Sequence, residues 1–458
     1  MRLPLSLIPA LAAAVLAGCA TNPPPRPADP LPASYGKPET GAAAATDSRW
    51  WLAFGEARLD ALIEQALANS SDLAIAITRV ERADAVLREA GASLLPSLDA
   101  KGSGQRLGVG NVGASSFKLA ASAAYELDFW GRNRSARNAA AADAQSARFV
   151  RDTVQLTLVS QVATTYLAAR SLEAQLAASR TNLDLRDKAV QIASDRLAAG
   201  SASPLDLAQA TSARAALAAQ VSELAREREQ VGHALALLVG VPTLELGGVP
   251  TAPLPVPPTP PAGLPSTLLT ARPDVLAAEA TLAAAAARVE VARAAFYPSI
   301  SLTGSLGSES VALGQLFSAG IWSAGALIDL PLFDGGRRSA RVDQASATQR
   351  EAAELYRKTA ETAYREVRDA LAAVRHSRAT EDARAQELGA ARAAARIAQA
   401  RYEAGASAFI ELLEAQRSVN EASIGWLRAR QARLAAVVDL NKALGQGWQG
   451  ADRAPQPG

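Results

Sequence analysis

The stretch Phe117-Lys118-Leu119-Ala120-Ala121-Ser122-Ala123-Ala124-Tyr125-Glu126-Leu127-Asp128-Phe129 alternates. Phe117, Leu119, Ala121, Ala123, Tyr125, Leu127 and Phe129 share one parity, while Lys118, Ser122, Glu126 and Asp128 share the other. A period of two places the first set on one face of a β-strand and the second on the opposite face. A second such run occurs later, where Trp322, Ala324, Ala326, Ile328, Leu330 and Leu332 hold one parity. With partner stretches at 97–107 and 298–307, each run predicts a hairpin of strands about 10–13 residues long, the length and patterning of transmembrane β-strands. Phe129, Trp130, Phe296, Tyr297 and Phe333 gather at the strand ends, where an interfacial aromatic belt would lie. On alternation alone, an ordinary soluble hairpin is the competing reading.

Four membrane strands cannot close a barrel, because small barrels need about eight. An open strand edge in lipid leaves backbone N–H and C=O groups unpaired, at several kcal/mol each. The hairpins must therefore be pooled between copies. Two copies would give a side-chain-filled eight-stranded barrel; three would give twelve strands and an aqueous lumen.

The chain is one unit written twice. Leu95-Pro96-Ser97-Leu98 recurs as Tyr297-Pro298-Ser299-Ile300, and Arg134-Ser135-Ala136-Arg137 as Arg338-Ser339-Ala340-Arg341. Arg196, Gly200 and Leu205-Asp206-Leu207 recur as Arg401, Gly405 and Ile410-Glu411-Leu412. Order and near-constant spacing mark an internal duplication. The copies span residues 50–240 (hairpin about 97–129, helices about 132–239) and 264–445 (hairpin about 298–333, helices about 336–444), with a tail at 446–458. Between them, 241–263 is a proline-rich linker that no helix crosses.

Around the hairpins the pattern is helical. Residues 56–93 and 273–295 read as helices ending near Pro96 and Pro298. The long proline-free stretches 132–199 and 336–404 are followed by 205–239 and 408–444. Ala169, Leu176, Leu183, Val190 and Leu197 step by seven, the spacing of supercoiled helices. At 1.5 Å per residue such a segment would be about 100 Å long, too long for a globular domain. Alanine supplies 107 of the 458 residues while aromatics are only 5%. That composition suits long helices packed closely side by side.

Charge and rare residues narrow the function. Lys and Arg total 47 against 45 Asp and Glu, which removes a global electrostatic case for nucleic acid. One cysteine excludes an internal disulfide framework, and two histidines make a His-rich metal centre unsupported. That cysteine, Cys19, follows Leu16-Ala17-Gly18 after an apolar run from Leu5. Residues 1–18 therefore read as a secretory signal. The cut before Cys19 is similar to the bacterial lipoprotein signal, which implies a covalent lipid on the thiol. Residues 19–49 read as a proline-rich tether. The resemblance to bacterial lipoproteins, in which an Asp after the cysteine signals inner-membrane retention, implies the outer membrane here, where Ala20 stands. No other cofactor is expected.

Gly263-Leu264-Pro265-Ser266, Arg272-Pro273-Asp274-Val275 and Ala294-Ala295-Phe296-Tyr297-Pro298-Ser299-Ile300-Ser301-Leu302 resemble the signature of TolC-family outer-membrane efflux lipoproteins. Trp50-Trp51-Leu52-Ala53-Phe54-Gly55 and Leu59-Asp60-Ala61-Leu62-Ile63 fit too, so the resemblance runs from about residue 50 to 445. It implies a homotrimer with a twelve-stranded β-barrel on a twelve-helix periplasmic barrel. It also implies the passive exit duct of a tripartite pump for drugs or other small toxic solutes, joined through an adaptor protein to an inner-membrane transporter.

The resemblance further implies a periplasmic gate at two helix–turn–helix corners, Arg196–Leu207 and Arg401–Leu412, with Gly200 and Gly405 in the turns. Glu411 and Glu414, and more weakly Asp206, match pore-lining acidic rings; Tyr402 matches an aromatic that holds the closed tip. The competing structural roles are a Glu414–Arg417 helix pair, a capping box in Ser203-Pro204-Leu205-Asp206, and simple heptad packing for Tyr402. Ser407 stands where some members place an arginine.

Gly108-Val109-Gly110-Asn111-Val112-Gly113 satisfies GxGxxG. The next stretch is a strand rather than a helix, so it reads as a hairpin loop, not a dinucleotide site. No nucleophile–base constellation is present, and an enzyme is not expected. The rival reading is a lipid-anchored periplasmic coiled-coil adaptor or scaffold, which would share the helices but lack the membrane hairpins.

Overall fold

The structure, a computed structural model, describes residues 31–32, 34–35, 49–109, 112–245, 254–255 and 267–448. Cys19, the signal, and most of the tether, the linker and the tail lie outside the described residues.

In chain order the helices and strands are α1 (Ala57–Asn69), α2 (Ser71–Ala92), β1 (Ser97–Val109), β2 (Val112–Leu127), α3 (Arg132–Ala198) and α4 (Pro204–Val239). The second copy supplies α5 (Pro273–Ala294), β3 (Ser299–Ser310), β4 (Gly320–Asp329), α6 (Arg337–Glu403) and α7 (Phe409–Ala443). Short turns at Trp50–Phe54 and Leu268–Ala271 precede α1 and α5. The fold class read from the sequence is the one observed: one small sheet, long helices, two repeats. Among the described residues no helix is long and apolar enough to cross a membrane.

The chain divides into two units. One holds Thr78–Phe149 and Leu276–Thr359, and within it the sheet. The sheet is antiparallel throughout, in the order β1-β2-β3-β4. Its register aligns the alternations of all four strands. Leu98 pairs with Ala123, Tyr125 with Leu302, Ala121 with Leu306, and Leu306 with Trp322. These residues share one face, since directly opposed residues in an antiparallel pair point the same way. The opposite face carries Lys101, Ser122, Glu126, Thr303, Ser305 and Glu309. There Ser305 and Ser323 hydroxyls lie 2.8 Å apart, Ser116 donates to Glu309 at 3.1 Å, and Lys118 sits 3.8 Å from Glu309. Over most of both hairpins one face is apolar and the other polar; Arg106 and Ser115 are polar residues on the first face, and Leu107, Ile321 and Leu327 apolar ones on the second.

Three expectations shift. The glycine run 108–113 is mostly strand rather than loop: Gly108 pairs with Gly113 and Val109 with Val112, leaving only Gly110 and Asn111, which lie outside the described residues. Phe129 lies beyond β2, because Asp128 turns away to accept from the Asn133 and Arg134 backbone N–H groups at the start of α3, at 3.0 and 2.9 Å. The carboxylate is stabilised at that helix N-terminus and ends the strand. Leu330 and Leu332 likewise follow β4, where Asp334 repeats the device toward Gly336 and Arg338. The strand ends are aromatic. Trp130 stacks on Tyr297 with centroids 4.8 Å apart and donates to the Pro298 carbonyl at 2.7 Å.

The second unit holds Leu31–Ile77, Val150–Val275 and Ala360–Gly458. Its main core joins Trp50, Trp51, Leu59, Ile63, Val162, Leu235, Leu434 and Val438. Helix α3 supplies residues from Leu158 to Leu167, α4 Leu235 and Val239, α7 Leu427, Leu434, Val437 and Val438, and α1 closes it. Glu381 of α6 is buried against Arg430 and Arg433 of α7, at 2.5 and 3.0 Å.

Candidate functional site

Two turns join the long helices within this unit. At the first, Gly200 takes φ +71°, which costs an L side chain about 1–2 kcal/mol. Its left-handed turn lets Ser201 N–H donate back to the Arg196 carbonyl at 2.8 Å. The second corner repeats this: Gly405 has φ +70°, and Ala406 N–H donates to the Arg401 carbonyl at 2.7 Å.

The corners differ where the next helix starts. Ser203 Oγ accepts from Asp206 N–H at 3.3 Å, and an Asp206 carboxylate oxygen accepts from Ser203 N–H at 3.1 Å. That is a complete capping box with Pro204 in the first turn of α4. The equivalent of Ser203 is Ala408, which has no side chain to cap α7. Glu411 is therefore not matched by a reciprocal hydroxyl and instead faces Arg401 at 3.9 Å, both half exposed. Glu414 pairs with Arg417 at 2.8 Å, and Arg417 also reaches Glu421 at 3.0 Å. The Glu414 hydrogen bond, its charge and that of Glu421 raise the Arg417 guanidinium above its ordinary value. Exposed pairs of this kind are weak. Glu411 and Glu414 thus remain exposed carboxylates one helical turn apart, whereas Asp206 is engaged in ending its own turn.

Arg196 Nη1 donates to the Tyr402 hydroxyl at 2.7 Å, and the guanidinium carbon lies 4.8 Å from the ring centroid. Tyr402 packs on Phe409 at 5.2 Å. Ala189, Ala193, Ala210, Leu412 and Leu413 complete a small core between the corners. Tyr402 is therefore both a packed heptad residue and a hydrogen-bonded bridge. Ser407 Oγ is buried without a partner. Sequence reasoning named Arg196 and Tyr402 but not their bond, and missed the chain Asn182–Asn420–Gln220 above them, with donor–acceptor distances of 2.9 and 3.0 Å. A polar residue at heptad spacing was the available signal for Asn420. His233 and His376 are exposed, and no metal-binding cluster occurs among the described residues.

A family model described as "Outer membrane efflux protein" matches residues 62–241 and 264–446, one match on each repeat. The chain belongs to this outer membrane efflux protein family. It is 37% identical over 461 residues to the pyoverdine export outer membrane protein OpmQ of Pseudomonas aeruginosa, covering 97% of each. It is 32% identical over 455 residues to the cation efflux system protein CusC of Escherichia coli (strain K12), covering 97% of this chain and 100% of the relative. A CusC crystal structure superposes with a TM-score of 0.85 at 31% identity, over 92% of this chain and 98% of that one. The open-state crystal structure of MtrE from Neisseria gonorrhoeae gives 0.82 at 31% identity, over 92% and 96%. The family's members are outer-membrane channels of efflux pumps rather than enzymes, and this chain is such a channel, located in the outer membrane and extending into the periplasm.

Proposed function

We propose that three copies close one twelve-stranded barrel above a twelve-helix tunnel, forming the passive duct through which a tripartite pump discharges small toxic solutes. The observation that carries this is the sheet. Within one chain β1 and β4 each pair on a single side, yet one face of the sheet is apolar over most of its span, through Leu98, Tyr125, Leu302, Leu306, Trp322 and Ile328. In lipid those edges must be paired by neighbours, and the polar face with Lys118 and Glu309 then lines the lumen. A periplasmic adaptor would have no use for that face.

The two corners form the gate. Glu411 and Glu414, repeated threefold, favour cations at the constriction, with Asp206 a lesser contributor because its carboxylate caps α4. Arg196, Gly200, Arg401, Tyr402 and Gly405 shape the tip that a periplasmic adaptor grips, with an inner-membrane transporter behind it. A lipid on Cys19 anchors the tether; one acyl chain holds only marginally, so several are needed.

Purified protein in detergent should run as a heat-resistant trimer and conduct ions in planar bilayers. A monomer without conductance would overturn the duct.

A further inference from the structure

The duct leaves one set of buried polar groups in the helical unit without a role. Arg186 of α3 is only 6% exposed. Its Nη2 donates to the Leu413 carbonyl at 3.0 Å, while Nη1 is buried with no hydrogen-bond partner. Gln416 Oε1 of α7 is buried and unpartnered as well. Arg186 stands three residues before Ala189 and seven before Ala193, both buried in the tip core. Heptad spacing thus puts a guanidinium where an apolar side chain belongs, a costly choice unless its donors are used. Burial lowers its proton affinity, the Glu414 charge opposes that effect, and Arg417 adds to it.

Both groups line a cavity of about 320 Å³ walled by α3, α4, α6 and α7. Ile192, Leu217, Phe409 and Leu412 make its apolar surface. Lys188, Arg196 and Arg396 join Arg186 there, against Glu403 as the one carboxylate, which accepts from Gln399 at 3.0 Å. Asn182 and Asn420 also border it, but their amides are bonded to each other. Apolar walls with a few convergent polar groups are the general character of small-molecule sites. Here the polar groups are cationic, and one is a fork donor suited to a carboxylate.

We propose that this cavity binds a small amphiphilic carboxylate, its oxygens accepting from Arg186 and its hydrocarbon body lying against Ile192, Leu217 and Phe409. The assignment is independent of the trimeric duct and adds a ligand site to it. Because Tyr402 and Arg196 also line the cavity, an occupant touches the bridge between the two corners.

Titration of the intact protein in nanodiscs with 2-naphthoate tests this, with empty nanodiscs subtracted. Saturable binding near one site per chain is expected, weakened about tenfold or more by R186Q. It should also be weakened by I192W, which fills the cavity from a residue that is 46% exposed and so tolerates the larger ring. The neutral analogue 2-methylnaphthalene should bind wild type at least about tenfold more weakly than the carboxylate. If R186Q does not assemble, I192W and the two probes still decide. Non-saturable partitioning that I192W leaves unchanged, or equal affinity for the two probes, would overturn the site.

Discussion

Arg196 near the end of α3 and Tyr402 near the end of α6 are 206 residues apart in sequence and joined by a 2.7 Å hydrogen bond. They belong to opposite copies of the repeat. The bond ties the two corners of one chain directly, through a charged donor stronger than a neutral one. Any movement that separates α3 from α6 at the tip must first break it.

Tyr402→Phe keeps the ring on Phe409 and removes only the hydroxyl. A half-exposed bond of this kind should be worth about 1 kcal/mol, or roughly fivefold in a closed-to-open equilibrium. Single-channel recordings should show a raised open probability with unchanged trimer stability. Traces indistinguishable from wild type would remove Tyr402 from the closing machinery.

The exposed carboxylates of α7 make a separate prediction. Glu411→Ala with Glu414→Ala should lower cation preference or raise conductance, read from reversal potentials in a salt gradient. Asp206→Ala should act differently, lowering helical stability by about 0.5–1.5 kcal/mol through the lost acceptor for the Ser203 N–H while shifting selectivity less. Unchanged permeability ratios in the double variant would discard the acidic gate.

Glu381 offers a pH test. Burial raises its proton affinity, but hydrogen bonds from Arg430 and Arg433, with their charges, outweigh burial and leave it below the ordinary glutamate value. A lowered folded-state value means that the stabilisation is present above the ordinary range and lost as pH falls through the folded one. Wild type should therefore lose thermal stability on acidification more steeply than Glu381→Gln. The variant itself should be less stable at neutral pH by about 3–5 kcal/mol, since two guanidinia lose their counter-charge. Parallel melting curves from neutral to acid pH would contradict this.

Gly307 is tightly enclosed in the sheet. A Cβ there would lie 2.7 Å from Ala120 Cα and closer still to the Leu119 carbonyl. Gly307→Val should prevent β2–β3 pairing and leave no heat-resistant trimer on gels, whereas Gly304→Ala, with 3.8 Å to the nearest atom, should assemble.

Much of this architecture is written in period. Seven-residue steps such as Ala169 to Leu176 fix long packed helices, and two-residue alternation in 117–127 fixes which strand face meets lipid. Local chemistry is legible for the same reason: Ser203 and Asp206 lie three apart, so their capping box follows from sequence. Contacts between the copies are different. Arg196 with Tyr402, Asn182 with Asn420, and Arg186 with the Leu413 carbonyl each join residues more than 200 positions apart. Such pairings depend on how the helices are rotated and staggered against one another, which periodicity constrains only to a face. The sequence alone therefore determined the repeat, the helices and the amphipathic hairpins. The tertiary structure decided which polar side chains meet, because a hydrogen bond requires ångström-level placement that a pattern of apolar residues does not specify.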